Sequence, residues 1–403
     1  MKWLLISILA VTFIACNHND IDDAKVSTIL FDKEYLIQTK SRIQRSDPEL
    51  QPALKNLISD ADKALLEGPY TVTDKEKLAP SGDAHDYASY SRYWWPDPSK
   101  PDGLPYIRKD GITYPNSQSL EESDRQRIGA LGKNTETLGL AYYFTNDEKY
   151  AKKAAELLRV WFLDEATRMN PNVNHAQIRP GHNDGTKSGV LDGRLMIRAL
   201  EGSLLIAGSS QLSSTEMQGL KAWAAEYYNW LTTNKRALEE SKSGNNHGSY
   251  YDVQALYFAL YSENMDGATR IANSFIENRI NAQIEPNGSM PEEMARTRPL
   301  FYSIYNLNAM FIVAHLAEQV EVDIWHDTNS RLRTALDYLA PYADADKQWP
   351  SKTIKKEDRM ELFSVLKKAE AVYPDGNYSE MTKKLDNERR LIHRANLAYP
   401  VLP

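Results

Sequence analysis

The sequence predicts an all-α fold: an α/α toroid, an incomplete barrel of antiparallel helix pairs. Three observations point there. Apolar residues recur at helical spacing over most of the chain, strand-like alternation is scarce with no βαβ order, and helix-sized segments follow one another across short breaks. A plain helical solenoid is the alternative, since no strict repeat fixes the closure. With 403 residues, 42% of them hydrophobic, the chain can bury one large core or two medium ones.

The N-terminus begins Met1-Lys2-Trp3, and residues 4–15 are almost wholly apolar. That run is too short to span a bilayer and reads as a signal peptide over residues 1–15. Phe13-Ile14-Ala15-Cys16 resembles a bacterial lipobox, so the chain's one cysteine, Cys16, is the expected lipidation site. The mature chain would then have no disulfide and no cysteine metal site. Residues 16–40 read as a polar tether and residues 41–403 as one toroid domain. These features predict an exported lipoprotein, in the periplasm or at the outer membrane or cell surface, touching the membrane only through its anchor.

Asp47-Pro48-Glu49 has the form of an N-cap with proline at the first helical position, ahead of an apolar face at Leu50, Leu54, Ile58, Ala61 and Leu65. Tyr150 to Trp161 and Leu191 to Leu204 repeat the pattern. Ser213 and Glu216 form a capping box ahead of Met217, Leu220, Trp223, Tyr227 and Trp230. Further helices are expected over 251–262, 265–283, 303–320, 329–342 and 359–372. Residues 69–128 break the rule with seven prolines among many aromatics. A long irregular stretch of this kind reads as a lid or substrate loop, and 168–190 reads as a second one. Together they would wall one end of the toroid.

The net charge of −7 argues against a nucleic-acid partner. The 23 Tyr and 8 Trp against 9 Phe suit a sugar-binding cleft, although amphipathic packing explains many such rings equally well. Two segments carry chemistry. Gly244-Asn245-Asn246-His247-Gly248 places a histidine among amides where a helix resumes near Tyr251. Arg296-Thr297-Arg298 follows Glu292 and Glu293 and precedes Tyr302. Together they supply an amide, an imidazole, a guanidinium and a phenol. Abstraction of a proton next to a carboxylate needs this set: donors to neutralise the carboxylate, a base, and an acid for the leaving oxygen.

Ser81-Gly82-Asp83-Ala84-His85-Asp86-Tyr87, Tyr93-Trp94-Trp95-Pro96-Asp97-Pro98, Leu191-Asp192-Gly193-Arg194, Asn245-Asn246-His247-Gly248 with Tyr251-Asp252, and Arg296-Thr297-Arg298 with Tyr302 resemble the alginate lyase superfamily of α/α toroid fold. They span roughly residues 75–310. The resemblance implies cleavage of 1,4-linked polyuronates by β-elimination, on alginate or on glucuronan, with no cofactor. It implies that Asn246 and Arg296 neutralise the carboxylate and that Tyr302 is the acid, and also the base when C5–H and O4 share a face. His247 would be the base when they lie on opposite faces. The Arg-to-Tyr interval is a residue shorter than the family pattern, which leaves Arg298 as an alternative to Arg296. Tyr87, Trp94, Trp95, Arg194, His182, Asn245, Tyr251 and Arg298 are the expected substrate contacts. No catalytic metal is expected, since no histidine has ligand spacing. The partner would be an anionic polysaccharide, acted on by a monomer. Two other readings remain open: a glycoside hydrolase using Asp252 with Glu292 or Glu293, and a non-catalytic glycan-binding lipoprotein.

Overall fold

A computed structural model describes residues 27–327 and 329–400. The expected signal peptide, Cys16 and the first part of the tether lie outside the described residues. The helices are α1 (Lys33–Gln44), α2 (Gln51–Ala64), α3 (Arg125–Thr145), α4 (Glu148–Leu158), α5 (Leu195–Leu205), α6 (Ser214–Thr233), α7 (Lys235–Glu240), α8 (Asn246–Tyr261), α9 (Met265–Phe275), α10 (Pro291–Met294), α11 (Pro299–Ala317), α12 (Arg331–Leu339), α13 (Leu362–Val372), and the short α14 (Tyr378–Lys383) and α15 (Asn387–Leu391).

Two kinds of helix build the toroid. Helices α3, α5, α8 and α11 are buried on nearly every side. Helices α4, α9 and α12 bury one stripe and leave the other to solvent. The first set is the inner ring: α3 packs on α5, α5 on α8, α8 on α11, and α11 on α13. Outer partners α4, α6, α9 and α12 lie against these. The turn at Arg394–Asn396 packs on both α2 and α13, and the Asp32 N–H donates to the Tyr399 carbonyl at 2.8 Å. The last helices thereby return to the first.

Several boundaries differ from the expectation. The tether does not run to residue 40: Leu30 and Leu36 are fully buried and residues 33–44 form α1, capped by Asp32. The proline opening α2 is Pro52, not Pro48, and Asp47 instead accepts from Arg42 and the Glu49 N–H. Helix α3 was not anticipated. It lacks an amphipathic stripe because small residues let it lie directly on α5; a Cβ at Gly132 would sit 2.4 Å from the Leu195 carbonyl oxygen. The Ser213–Glu216 capping box forms as expected.

The two irregular segments meet above the ring. Strand β1 (Ala88–Tyr90) pairs in parallel with β4 (His175–Ile178), and β2 (Trp94–Trp95) pairs antiparallel with β3 (Ile107–Arg108). A buried Lys75–Asp124 ion pair at 3.2 Å ties the lid's base to the start of α3, and Asp124 also accepts the Ala88 N–H at 2.9 Å.

Candidate active site

The site grows from the N-terminus of α8. The Asn245 backbone is extended, and its Oδ1 accepts the His247 N–H at 3.1 Å. Asn245 is therefore an N-cap through its Oδ1. Helix begins at Asn246 rather than near Tyr251, so Asn246 and His247 lie in the first turn. The chain between α7 and α8 crosses so tightly that a Cβ at Gly248 would lie 2.0 Å from the Ser243 carbonyl oxygen. That corner folds Glu240, the last residue of α7, back onto the imidazole, where its carboxylate accepts from His247 Nδ1. With Nδ1–H donated to the carboxylate, Nε2 is the ring nitrogen left to meet a substrate, and the ring is partly open to solvent.

Glu293, on α10, is fully buried. Its Oε1 accepts the Asn246 N–H at 2.6 Å, and Asn246 Nδ2 lies 3.0 and 2.9 Å from the two carboxylate oxygens. Those oxygens subtend much less than the angle between two amide hydrogens, so one N–H serves both and the second is left to donate elsewhere. Burial pushes the Glu293 carboxyl above its usual range, against the pull of Asn246, Arg296 and His247.

The Arg296 guanidinium lies 3.7 Å from the centre of the Tyr302 ring. One Nη donates to Asp110 of the lid at 3.2 Å, and its buried Nε has no acceptor. Thr297 Oγ1 donates to the same Asp110 at 3.0 Å. The hydroxyls of Tyr302 and Tyr93 share a hydrogen bond of 3.1 Å. Burial raises the Tyr302 phenol above its ordinary value and Tyr93 adds to this; the Arg296 cation offsets only part. The cation therefore does not make a phenolate at neutral pH: the resting group is a protonated acid. Arg298 is neutralised by Glu357 at 3.0 Å and stacks on Phe301 at 4.1 Å. Each arginine has one carboxylate partner and a buried Nε without an acceptor, and Arg296 is the one that lies against Tyr302.

The structure thus draws Asn246, His247 and Arg296 toward Glu293, with Tyr302 joined to them through Arg296. It does not bring every expected contact there. Tyr87 is fully buried and donates to Asp192 at 3.0 Å, so it is core rather than subsite. Tyr251 is also buried, and its hydroxyl donates to the Leu231 carbonyl at 3.1 Å, on the α6 side. Trp94, Trp95 and His182 belong to the lid. Trp94 carries the Arg179 guanidinium at 4.6 Å and meets His182 edge-on; Trp95 donates to the Ile112 carbonyl at 3.0 Å; His182 Nε2 donates to the Tyr106 carbonyl at 2.8 Å. Arg194 lies over Tyr250 and Tyr305 at 5.6 and 5.8 Å. The carboxylates near it in sequence are engaged elsewhere: Asp192 holds Arg125, and Glu201 accepts the Ile29 and Leu30 N–H groups. Of the carboxylates of the hydrolase reading, Asp252 is committed to Arg279 at 2.7 Å and Glu293 to Asn246, while Glu292 is exposed.

Sequence reasoning missed Tyr93, Asp110 and Glu240 as parts of the site, and offered Glu293 only as a carboxylate of the hydrolase reading. Tyr93 stood in a quoted aromatic motif and Glu293 in the arginine segment. Asp110 and Glu240 had no local signal, since the fold alone brings them there.

The sequence model of the alginate lyase family matches residues 71–349. The chain belongs to the alginate lyase family. A crystal structure of an alginate lyase from Bacteroides ovatus is 39% identical, covers 94% of this chain and 100% of its own, and superposes with a TM-score of 0.87. Alginate lyase A1-III from Sphingomonas species A1 shares 15% identity over 96% of this chain and 100% of its own, with a TM-score of 0.59. A variant of A1-III complexed with a tetrasaccharide gives the same identity and TM-score, covering 96% of this chain and 99% of its own. These last two likenesses are of fold. No curated protein matches the chain. As a member of this family the protein is a polysaccharide lyase of all-α toroid architecture.

Proposed function

We propose that the protein cleaves alginate by β-elimination at the cluster of Asn246, His247, Arg296 and Tyr302. The observation that carries this reading is the Arg296 guanidinium against the Tyr302 ring at 3.7 Å, its buried Nε without an acceptor. A uronate carboxylate docked there takes hydrogen bonds from Arg296 and from the remaining Asn246 N–H. Those donors stabilise the dianionic aci-carboxylate formed when C5 loses its proton. His247 Nε2 takes that proton when C5–H and O4 lie on opposite faces. When they share a face, Tyr302 first gives its own proton to solvent as the substrate carboxylate binds, and the resulting phenolate takes the C5 proton. The C5–H electron pair becomes the C4–C5 double bond, the C4–O4 bond breaks, and the leaving oxygen receives a proton from Tyr302.

Assay of ultraviolet-absorbing product on mannuronan, guluronan, glucuronan, pectate and hyaluronan tests the reading. Product is expected on the two alginate blocks, and Tyr302→Phe should abolish it while oligosaccharide binding persists. Absence of unsaturated product on every polymer rejects it. We further propose that Cys16 carries a lipid and that the enzyme acts outside the cytoplasm. Cys16→Ser should move it from the membrane to the soluble fraction, and unchanged membrane retention would count against the anchor.

A further inference from the structure

The imidazole is aimed by a chain of contacts that begins outside the site. Glu240 accepts from His247 Nδ1 through one carboxylate oxygen, and its other oxygen accepts from Ser243 Oγ at 3.2 Å. The Ser243 N–H donates to the Glu240 carbonyl at 2.9 Å. Residues 241–243 are therefore the corner that sets where the Glu240 carboxylate lies. Arg279 holds that corner. It stands in the wide π turn Ile276–Asn281 that follows α9, with 8% of its side chain exposed. Its Nη2 donates to the Ser241 carbonyl at 2.6 Å and its Nη1 to the Ser243 carbonyl at 3.3 Å. Its Nε donates to Asp252 of α8 at 2.7 Å.

One rigid group thereby joins three segments. Carbonyls at the end of α7 lack helical partners, and a planar guanidinium can meet two of them together with a carboxylate. Asp252 lies five residues after His247 on the same helix, so the guanidinium sets the corner against the helix that carries the imidazole. Gly248 leaves the space: a Cβ there would sit 2.9 Å from an Arg279 Nη and 2.0 Å from the Ser243 carbonyl oxygen. Asp252 balances the buried cation, and among the described residues no hydrogen bond or ion pair joins Arg279 to Asn246, His247, Arg296 or Tyr302. A similar arrangement follows α4, where Arg159 binds Glu216 and the Gln211 carbonyl. Met217, next to Glu216, meets Tyr261 at the far end of α8, about 20 Å along the helix from His247.

We propose that Arg279, with Asp252, is a positioning residue for the His247 base: it clamps the 241–243 corner so that Glu240 and Ser243 hold the imidazole at one angle. This rests on the lyase reading above and names the pair that preorganises its base. A reacting group displaced by about 1 Å loses on the order of 100-fold in rate, so the clamp acts on the chemical step and not on substrate affinity. It bears on the imidazole and leaves the Tyr302 phenol, held from α11 and the lid, as it is.

Initial rates on guluronan and mannuronan with wild type, Arg279→Ala, Arg279→Lys, Asp252→Asn and His247→Ala test the clamp. Arg279→Ala should lower kcat on guluronan about 10- to 100-fold with KM within about twofold, and kcat on mannuronan by less than about threefold. Arg279→Lys keeps the charge but reaches fewer acceptors, and should recover part of the guluronan rate. Asp252→Asn should show the same polymer preference at smaller size, and it reports even where Arg279→Ala does not fold. Arg159→Ala should lower stability and leave the ratio of the two rates unchanged. In nitrogen-edited NMR spectra of histidine-labelled protein, the low-field His247 Nδ1 proton, identified by its loss in His247→Ala, should move upfield or broaden in the Arg279 variants. An unchanged Nδ1 proton overturns the clamp whatever the rates. So does a folded Arg279 variant whose losses do not follow those of His247→Ala from one polymer to the other, and either result leaves the lyase reading standing. A wild type inactive on every polyuronate takes down the lyase reading and the clamp with it.

Discussion

Glu293→Gln separates the work of the site from the stability of the fold. In the native protein a buried carboxylate holds Asn246 by contacts of 2.6, 2.9 and 3.0 Å. Hydrogen bonds to a charged acceptor contribute about 1.5–3 kcal/mol each. Glutamine keeps the shape but presents an NH2 where Asn246 Nδ2 needs an acceptor. The clash of donors is relieved if the Asn246 amide turns over, and the N–H available to a substrate carboxylate is then re-aimed. Loss of one preorganised donor of this kind costs about 100- to 1000-fold in kcat, roughly 3–4 kcal/mol. Stability should move little, because burial disfavours the ionised Glu293 and the neutral amide removes that cost. A net change of about 1 kcal/mol shifts the melting temperature of a large domain by no more than roughly 2–4 °C. Product formation followed by ultraviolet absorbance, with thermal unfolding on the same samples, gives both numbers. Adding Asn246→Ala should cost little beyond Asn246→Ala alone, because the two residues act as one unit. Activity within threefold of wild type, or a stability loss above about 4 kcal/mol, would show that Glu293 holds the fold and not the amide.

Three further outcomes follow from the geometry. Arg296→Ala should lower kcat/KM by about 100-fold or more, whereas Arg298→Ala should cost less than about tenfold because it lies against Phe301 and not Tyr302; the reverse order in steady-state kinetics would exchange their roles. His247→Ala should impair cleavage of guluronan more than of mannuronan, and equal losses on the two block polymers would contradict the division of labour between imidazole and phenol. The Arg159 guanidinium and the capping contacts with Ser213 hold the Glu216 carboxyl down at about 2, from 4.5. A depressed carboxyl contributes stability above its unfolded value, here 4.5, and loses it as the pH falls toward 2. Discounted for partial exposure, that is about 1–2 kcal/mol. Urea denaturation of wild type and Glu216→Gln should therefore show a gap at pH 7 that closes below pH 4; a gap independent of pH would assign it to packing.

What the sequence could reveal depended on whether the determining contact was local. The apolar stripes of α4, α9 and α12 face the ring from outside, and that half-wet position writes a period into the chain. Helix α3 has water on almost no side, so no period remains, and its glycines mark close approach to α5 rather than a break. The Asn-Asn-His segment was readable as chemistry because three polar residues beside a glycine make a poor core. Its helix start was placed five residues late, since Asn246 and His247 are held by capping and by carboxylates from other segments and not by an apolar face. The aromatic motif drew attention to the larger rings of Trp94 and Trp95, yet Tyr93 reaches Tyr302. Indoles pack well wherever they stand, and no hydrogen bond or ring contact joins Trp94 or Trp95 to Asn246, His247, Arg296 or Tyr302 among the described residues. Tyr87 and Tyr251 misled for the same reason: a buried phenol needs an acceptor, and Asp192 and the Leu231 carbonyl provide one inside the protein. The carboxylates that aim the reacting groups were least legible of all. Glu240 and Asp110 acquire their roles only when a tight corner and a lid close onto residues 7 and 186 positions away, so the acid that orients a catalytic base is a property of the closed chain and not of any segment in it.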